Sequence, residues 1–298
     1  MKSNVRVFRG TILIGFLICS VLMSGCIGNS GSGTEKTPNS GEATYSKADE
    51  RVLSIAGSTT VLPIAAQAAE AYMDLHPEVD VKVNGGGSGA GVQNAGEGTV
   101  MIGMASRDLK EEEITKYPDL VPHQIAIDGL AFITNNDNPI PSLTVEQVKK
   151  IYDGNITNWK DVGGKDTQII VVGRDSASGT REYMFTDVMK KANFVQTQLE
   201  KNSNGAVKQT IEQTQDAIGY VGLGYLDETV YTVPLSVNGA VVAPSIKTVK
   251  EKAYPLSRPL LLLTKGQPTK EAAAFIAFLD GMKGQEIITE EGFITITR

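Results

Sequence analysis

Four short stretches of this 298-residue chain concentrate glycine, serine, threonine and arginine where an extended run gives way to a helical pattern. They are Gly57-Ser58-Thr59-Thr60, Gly85-Gly86-Gly87-Ser88-Gly89, Ala105-Ser106-Arg107-Asp108 and Arg174-Asp175-Ser176-Ala177-Ser178-Gly179-Thr180-Arg181. The chemistry such loops share is anion binding. Helix N-termini present free N–H donors and the positive end of the helix dipole. Glycine lets the backbone approach, and hydroxyls add donors. An arginine offers a planar fork to a tetrahedral oxyanion, and Arg174 and Arg107 are the candidates. One such loop alone is explained by helix capping. Four in one chain point to a ligand.

Rival chemistries fare worse. No G-x-S-x-G elbow is present, and Ser178 stands in S-A-S-G-T. An exported hydrolase using Ser178 would need a base, and the two histidines, His76 and His123, stand far apart in the sequence with no companion pattern. Gly164-Lys165 is followed by Asp166, so there is no P-loop. Gly85, Gly87 and Ala90 fit a dinucleotide pattern, but that reading leaves three loops unexplained. Glu111, Glu112 and Glu113 read as a solvated helix start. Both cysteines, Cys19 and Cys26, lie in the first tenth of the chain, which removes disulfides, thiol catalysis and cysteine-based zinc sites from the rest. No cofactor or metal is expected.

The N-terminus reads as an export leader. Lys2, Arg6 and Arg9 precede an almost wholly apolar run at 11–23, which is too short to span a bilayer. The ending Leu22-Met23-Ser24-Gly25-Cys26 resembles a lipoprotein cleavage box, with Met23 where leucine is usual. A leader over 1–25 and a lipid on Cys26 are therefore expected. Residues 26–49 are rich in glycine, serine and threonine and should form a flexible tether. Removing the leader's three positive charges shifts the net charge from −6 to −9, which disfavours nucleic acid as a partner.

The elements that must position the four loops follow in α/β order. Strands are predicted at 52–56, 79–84 and 100–105, with a helix over 60–76. The pattern restarts with a long extended run at 124–134. Thr144-x-x-Gln147 makes a capping box for a helix to about Tyr152. A strand at 168–172 leads to a helix over 179–191. Strands follow at 218–221, 231–235 and 260–264, and helices over 269–282 and 284–291 close the chain. This rhythm favours parallel, helix-covered sheets. Two units joined by runs at 124–134 and 255–264 predict two lobes with the loops facing a cleft.

The chain resembles the phosphate-binding proteins of high-affinity phosphate ABC transporters, the PstS-type periplasmic-binding family. The matching stretches are IAGSTTVLPI (55–64), NGGGSGAG (84–91), IGMASRDL (102–109), IAIDGLAFITN (125–135), GRDSASGTREYM (173–184), SNGAV (203–207), IGYVGLGY (218–225) and YPLSRPLLLLTK (254–265). The resemblance implies a two-lobed, type II periplasmic-binding fold with the ligand in the inter-lobe cleft. Lobe 1 would comprise 50–127 plus 256–298 and lobe 2 128–255. It implies phosphate binding by Thr59, Thr60, Ser88, Ser106, Arg107, Arg174, Ser178, Gly179 and Thr180. Some members carry a proton-accepting aspartate where this chain has Arg107; here Asp108 is offered for that role, and Arg107 as a second cationic ligand. The implied partners are inorganic phosphate, ABC permease subunits with their ATPase, and a membrane reached through the lipid. The implied protein is an exported monomer with no enzymatic activity. Molybdate, tungstate or sulfate remain alternative anions.

Overall fold

The computed structural model describes residues 51–296; the predicted leader, Cys26 and the tether lie outside them. In chain order the strands are β1 (Arg51–Gly57), β2 (Val79–Asn84), β3 (Ile102–Ala105), β4 (Leu120–Thr134), β5 (Ile170–Arg174), β6 (Leu199–Lys201), β7 (Ala217–Gly222), β8 (Tyr231–Val233), β9 (Leu235–Val237), β10 (Ala240–Val242), β11 (Ser257–Lys265) and β12 (Ile294–Thr295). The α-helices are α1 (Leu62–Leu75), α2 (Ser88–Glu97), α3 (Glu111–Lys116), α4 (Val145–Tyr152), α5 (Gly179–Tyr183), α6 (Asn204–Gln213), α7 (Ile246–Lys250), α8 (Lys270–Asp280) and α9 (Met282–Glu290).

A mixed sheet runs through both lobes in the order β2-β1-β3-β11-β4-β7-β5-β6. Each flank is parallel, with β1 between β2 and β3, and β5 between β7 and β6. The expectation of parallel sheets holds for these flanks but not for the centre, where β11 is antiparallel to β3 and to β4. A strand that crosses between lobes can run against its neighbours without a helical crossover. The long β4 belongs to both halves. Its residues Leu120–Gly129 pair with β11, and Leu130–Thr134 pair with β7. Residues 125–134 are almost continuously buried, as expected of a strand covered on both faces. Pro259 supplies no amide to the ladder, and the β4–β11 register shifts one residue later, between Leu260 and Leu261.

Two principal cores flank this crossing. One joins Leu53, Ile55, Ile64, Ile102 and Met104 to Phe275, Leu279 and Ile288, so α8 and α9 return to cover α1. Tyr72 meets Phe275 edge-on at 5.5 Å between ring centroids. The other gathers Leu130, Phe132, Ile151, Tyr152, Trp159, Met184, Tyr220 and Tyr254. The Thr144 capping box forms, with the Gln147 amide donating to Thr144 Oγ1 at 3.0 Å.

The helix predicted over 179–191 is shorter. It is α5 followed by a π-turn over Met184–Val188. The Met189 amide reaches back five residues to the Met184 carbonyl, and the Thr186 hydroxyl has Asp187 Oδ2 at 2.6 Å as its shortest acceptor.

Candidate anion-binding site

The first loop is set by a close approach. Gly57 has φ 139°, and a Cβ there would sit 2.4 Å from the Met104 carbonyl oxygen and 2.7 Å from Gly91 Cα. Ser58 Oγ then accepts from the amides of Thr60 at 3.1 Å and Val61 at 3.4 Å. Pro63 follows in the first turn of α1, where no intrahelical amide is needed. This geometry turns Thr59 and Thr60 toward the other lobe. Thr59 Oγ1 accepts from Arg174 Nη2 at 3.2 Å and Asn204 Nδ2 at 3.1 Å. Thr60 Oγ1 accepts from Asn204 Nδ2 at 3.0 Å and Arg258 Nη2 at 3.3 Å, and lies 3.2 Å from Thr180 Oγ1.

The second and third loops join beside it. The Ser106 amide donates to Ser88 Oγ at 3.0 Å, and the two hydroxyls are 3.4 Å apart. The Gly89 amide donates to the Ala177 carbonyl at 2.9 Å, across to the fourth loop. Gly87, at φ 89°, admits Ala177 so closely that a Cβ would lie 2.5 Å from its carbonyl oxygen. Gly179 is equally tight, because a Cβ there would lie 2.1 Å from Ser88 Oγ. Ser178 caps α5 by accepting from the Arg181 amide at 3.2 Å.

The structure therefore brings Thr59, Thr60, Ser88, Ser106, Arg174, Ser178, Gly179 and Thr180 together, all buried, from both lobes. Arg174 is held by its Nε on the Lys201 carbonyl at 3.1 Å and its Nη2 on the Asn202 carbonyl at 3.1 Å. Its Nη1 is buried without a partner among the described residues. Burial pulls its guanidinium below the usual arginine range, Tyr220 and Asp175 pull it back, and neighbouring Arg258 adds to the downward push.

Arg107 has its fork on Glu113, with Nη1 on Oε2 at 2.7 Å and Nη2 on Oε1 at 2.6 Å, and Nη1 also meets the Asp108 carbonyl at 2.8 Å, while its Nε is buried with no partner among the described residues. The solvated start expected for 111–113 is corrected at Glu113, whose carboxylate also takes the Lys110 amide at 2.9 Å. Burial raises the Glu113 carboxyl, but the Arg107 and Lys110 hydrogen bonds outweigh it and hold it below the usual carboxylate range. Asp108 is exposed and lines a surface groove with Leu109, Pro122 and Leu261. His76 lies 3.9 Å from Glu78, and His123 meets Thr264 at 2.9 Å.

Three residues at the site escaped sequence reasoning: Asn204, Asp128 and Arg258. Asn204 is the first residue of α6, whose N-cap Ser203 accepts from the Ala206 amide at 3.1 Å. Asp128 and Arg258 are both buried. Their signal was present as one charge inside or beside each of the two apolar crossing runs.

Comparison with known proteins gives the arrangement a lineage. The PBP superfamily domain model matches residues 32–280. The phosphate-binding protein PstS of Bacillus subtilis is 34% identical over 298 residues, covering 100% of this chain and 96% of that protein. The chain belongs to the PBP superfamily, among its PstS-type members. Two solved structures carry the same fold. A putative phosphate ABC transporter substrate-binding protein with bound phosphate from Clostridium perfringens has TM-score 0.78 and 38% identity, over 83% of this chain and 100% of that one. An ABC-type phosphate transport receptor from Vibrio cholerae has TM-score 0.68 and 36% identity, over 82% and 100%. PstS-type membership accounts for the two-lobed fold. Among the described residues no helix is long and apolar enough to cross a membrane.

Proposed function

We propose that this chain is an extracytoplasmic receptor that captures inorganic phosphate between its lobes and delivers it to an ABC permease without breaking a bond. The observation that carries the reading is the buried seam of hydroxyls from both lobes around Arg174, whose Nη1 has no partner among the described residues. An oxyanion between the lobes would take that donor, the Thr59, Thr60, Ser88, Ser106, Ser178 and Thr180 hydroxyls, and loop amides near Gly179. Closing over it would both hide the anion and shape the surface that a permease meets. The phosphate named for the Clostridium and Vibrio neighbours supports the choice of anion.

The finer assignments belong to the same reading. Lobe 1 is taken as 50–127 plus 256–298 and lobe 2 as 128–255; the first core falls within lobe 1, and the second within lobe 2 except for Leu256 and Ile294. The leader over 1–25, the tether over 26–49 and the Cys26 lipid would hold a monomeric receptor at the outer membrane face. Arg107 serves to brace the loop that carries Ser106. Its fork lies on Glu113, and the exposure of Asp108 speaks against a buried proton acceptor there.

Equilibrium dialysis of phosphate-depleted protein against labelled phosphate tests the proposal. Retention at micromolar concentration is expected, and its absence would sink the idea. Arg174→Ala should weaken binding by about thirtyfold or more, since removing one partner of a buried charge contact costs about 2 kcal/mol or more.

A further inference from the structure

We propose that Arg258, held by Asp128, is the second cationic ligand of the anion. The inference rests on the phosphate-receptor reading above and moves the second cation from Arg107 to the crossing strands. Arg258 and Asp128 are direct register partners on β11 and β4. Both side chains are fully buried. Arg258 Nε and Nη2 donate to Asp128 Oδ2 at 3.0 and 2.8 Å, and Asp128 Oδ1 accepts from the Leu223 amide at 2.9 Å. This grip fixes the plane of the guanidinium. Tyr183 packs beside that plane, 5.8 Å from the Arg258 Cζ to its ring centroid.

What the grip leaves over is informative. Arg258 Nη2 also reaches Thr60 Oγ1 at 3.3 Å, the same hydroxyl that meets Thr180 and Asn204. Arg258 Nη1 is buried with no partner among the described residues, as is Arg174 Nη1. Two buried guanidinium donors without acceptors, both on arginines that hydrogen-bond the Thr59-Thr60 pair, are costly unless an acceptor serves them. A tetrahedral oxyanion has enough oxygens for both. Asp128 neutralises one of the two neighbouring cations, which otherwise repel. Gly222 permits the close approach, because a Cβ there would lie 2.7 Å from Asp128 Oδ2 and 2.9 Å from Thr60 Cγ2. Arg107, with its fork on Glu113, contributes through loop geometry instead.

The test is calorimetric titration of inorganic phosphate into wild type, Arg258→Lys and the double variant Asp128→Asn/Arg258→Met, with thermal melts of each. Lysine keeps the charge opposite Asp128 but loses the fork. The expected result is a melting temperature for Arg258→Lys close to wild type with phosphate affinity lowered about tenfold, and a loss of about thirtyfold or more in the folded double variant. Wild-type affinity in Arg258→Lys or in the folded double variant would overturn the proposal while leaving the receptor reading intact. No phosphate binding by wild type would overturn both. Should the double variant fail to fold, a phosphate-soaked crystal decides. A phosphate oxygen within hydrogen-bond distance of Arg258 Nη1 is expected, and none there would overturn the assignment.

Discussion

Gly179→Ala probes lobe closure with a single added methyl group. Gly179 opens α5, and its φ lies outside the left-handed region, so alanine fits the backbone. The obstacle lies across the cleft. The new Cβ would stand 2.1 Å from Ser88 Oγ, 2.8 Å from Ser88 Cβ and 3.0 Å from Ser106 Oγ. These atoms are buried and mutually hydrogen-bonded, so they cannot simply swing away. Overpacking of this kind costs about 1–3 kcal/mol. If the contact exists only when the lobes are together, the whole cost falls on the bound state. That is roughly a 5- to 150-fold loss of phosphate affinity. Apart, the lobes feel only the replacement of glycine by alanine at the first residue of a short helix, a gain of at most about 0.5–1 kcal/mol. The assay pairs phosphate titration with thermal melts in its absence. Weakened binding with an unchanged or raised melting temperature is expected. Affinity within a few-fold of wild type would refute the reasoning, because the lobes would then not need to meet at Gly179 to hold the anion.

Other outcomes follow from the same geometry. Lys110 Nζ pairs with Glu182 across the cleft rim at 2.8 Å, both about a third exposed. Lys110→Ala should speed phosphate release in stopped flow by no more than about fivefold, since such pairs are worth about 0.2–1 kcal/mol. Glu113 has its carboxyl held below the usual range, so the stability it adds is present at neutral pH and is lost as pH falls below about 4.3 toward the lowered folded value. Glu113→Gln should therefore flatten the fall in melting temperature in that acid window; an unchanged slope would contradict the ion-pair assignment. Thr144→Ala removes a capping hydroxyl remote from the seam and should cost about 1 kcal/mol in denaturant unfolding without changing phosphate affinity.

The parts of the site legible in the sequence were those whose signal is local. Ser58, Pro63 and Gly87 each announce a strand-to-helix junction within a few residues, and the Thr144–Gln147 box specified its own helix start. What could not be read was long-range pairing. Asp128 and Arg258 are 130 residues apart along the chain and become partners only through the β4–β11 register. Each looked like a lone charge in an apolar run. Arg107 is a related case, because the pairing of its fork with Glu113, six residues on, leaves no signal in the motif itself. The passage of α5 into a π-turn over Met184–Val188 leaves no signal in the hydrophobic periodicity.

A hydroxyl-and-arginine seam between two lobes should hold phosphate. Calorimetric titration of phosphate into phosphate-depleted protein, repeated with sulfate or molybdate in about tenfold excess, checks both the binding and the choice of anion. Saturable binding of phosphate is expected, one ion per chain, at micromolar affinity or tighter, and not abolished by either competitor. No heat with phosphate, or full displacement by sulfate or molybdate, would contradict it.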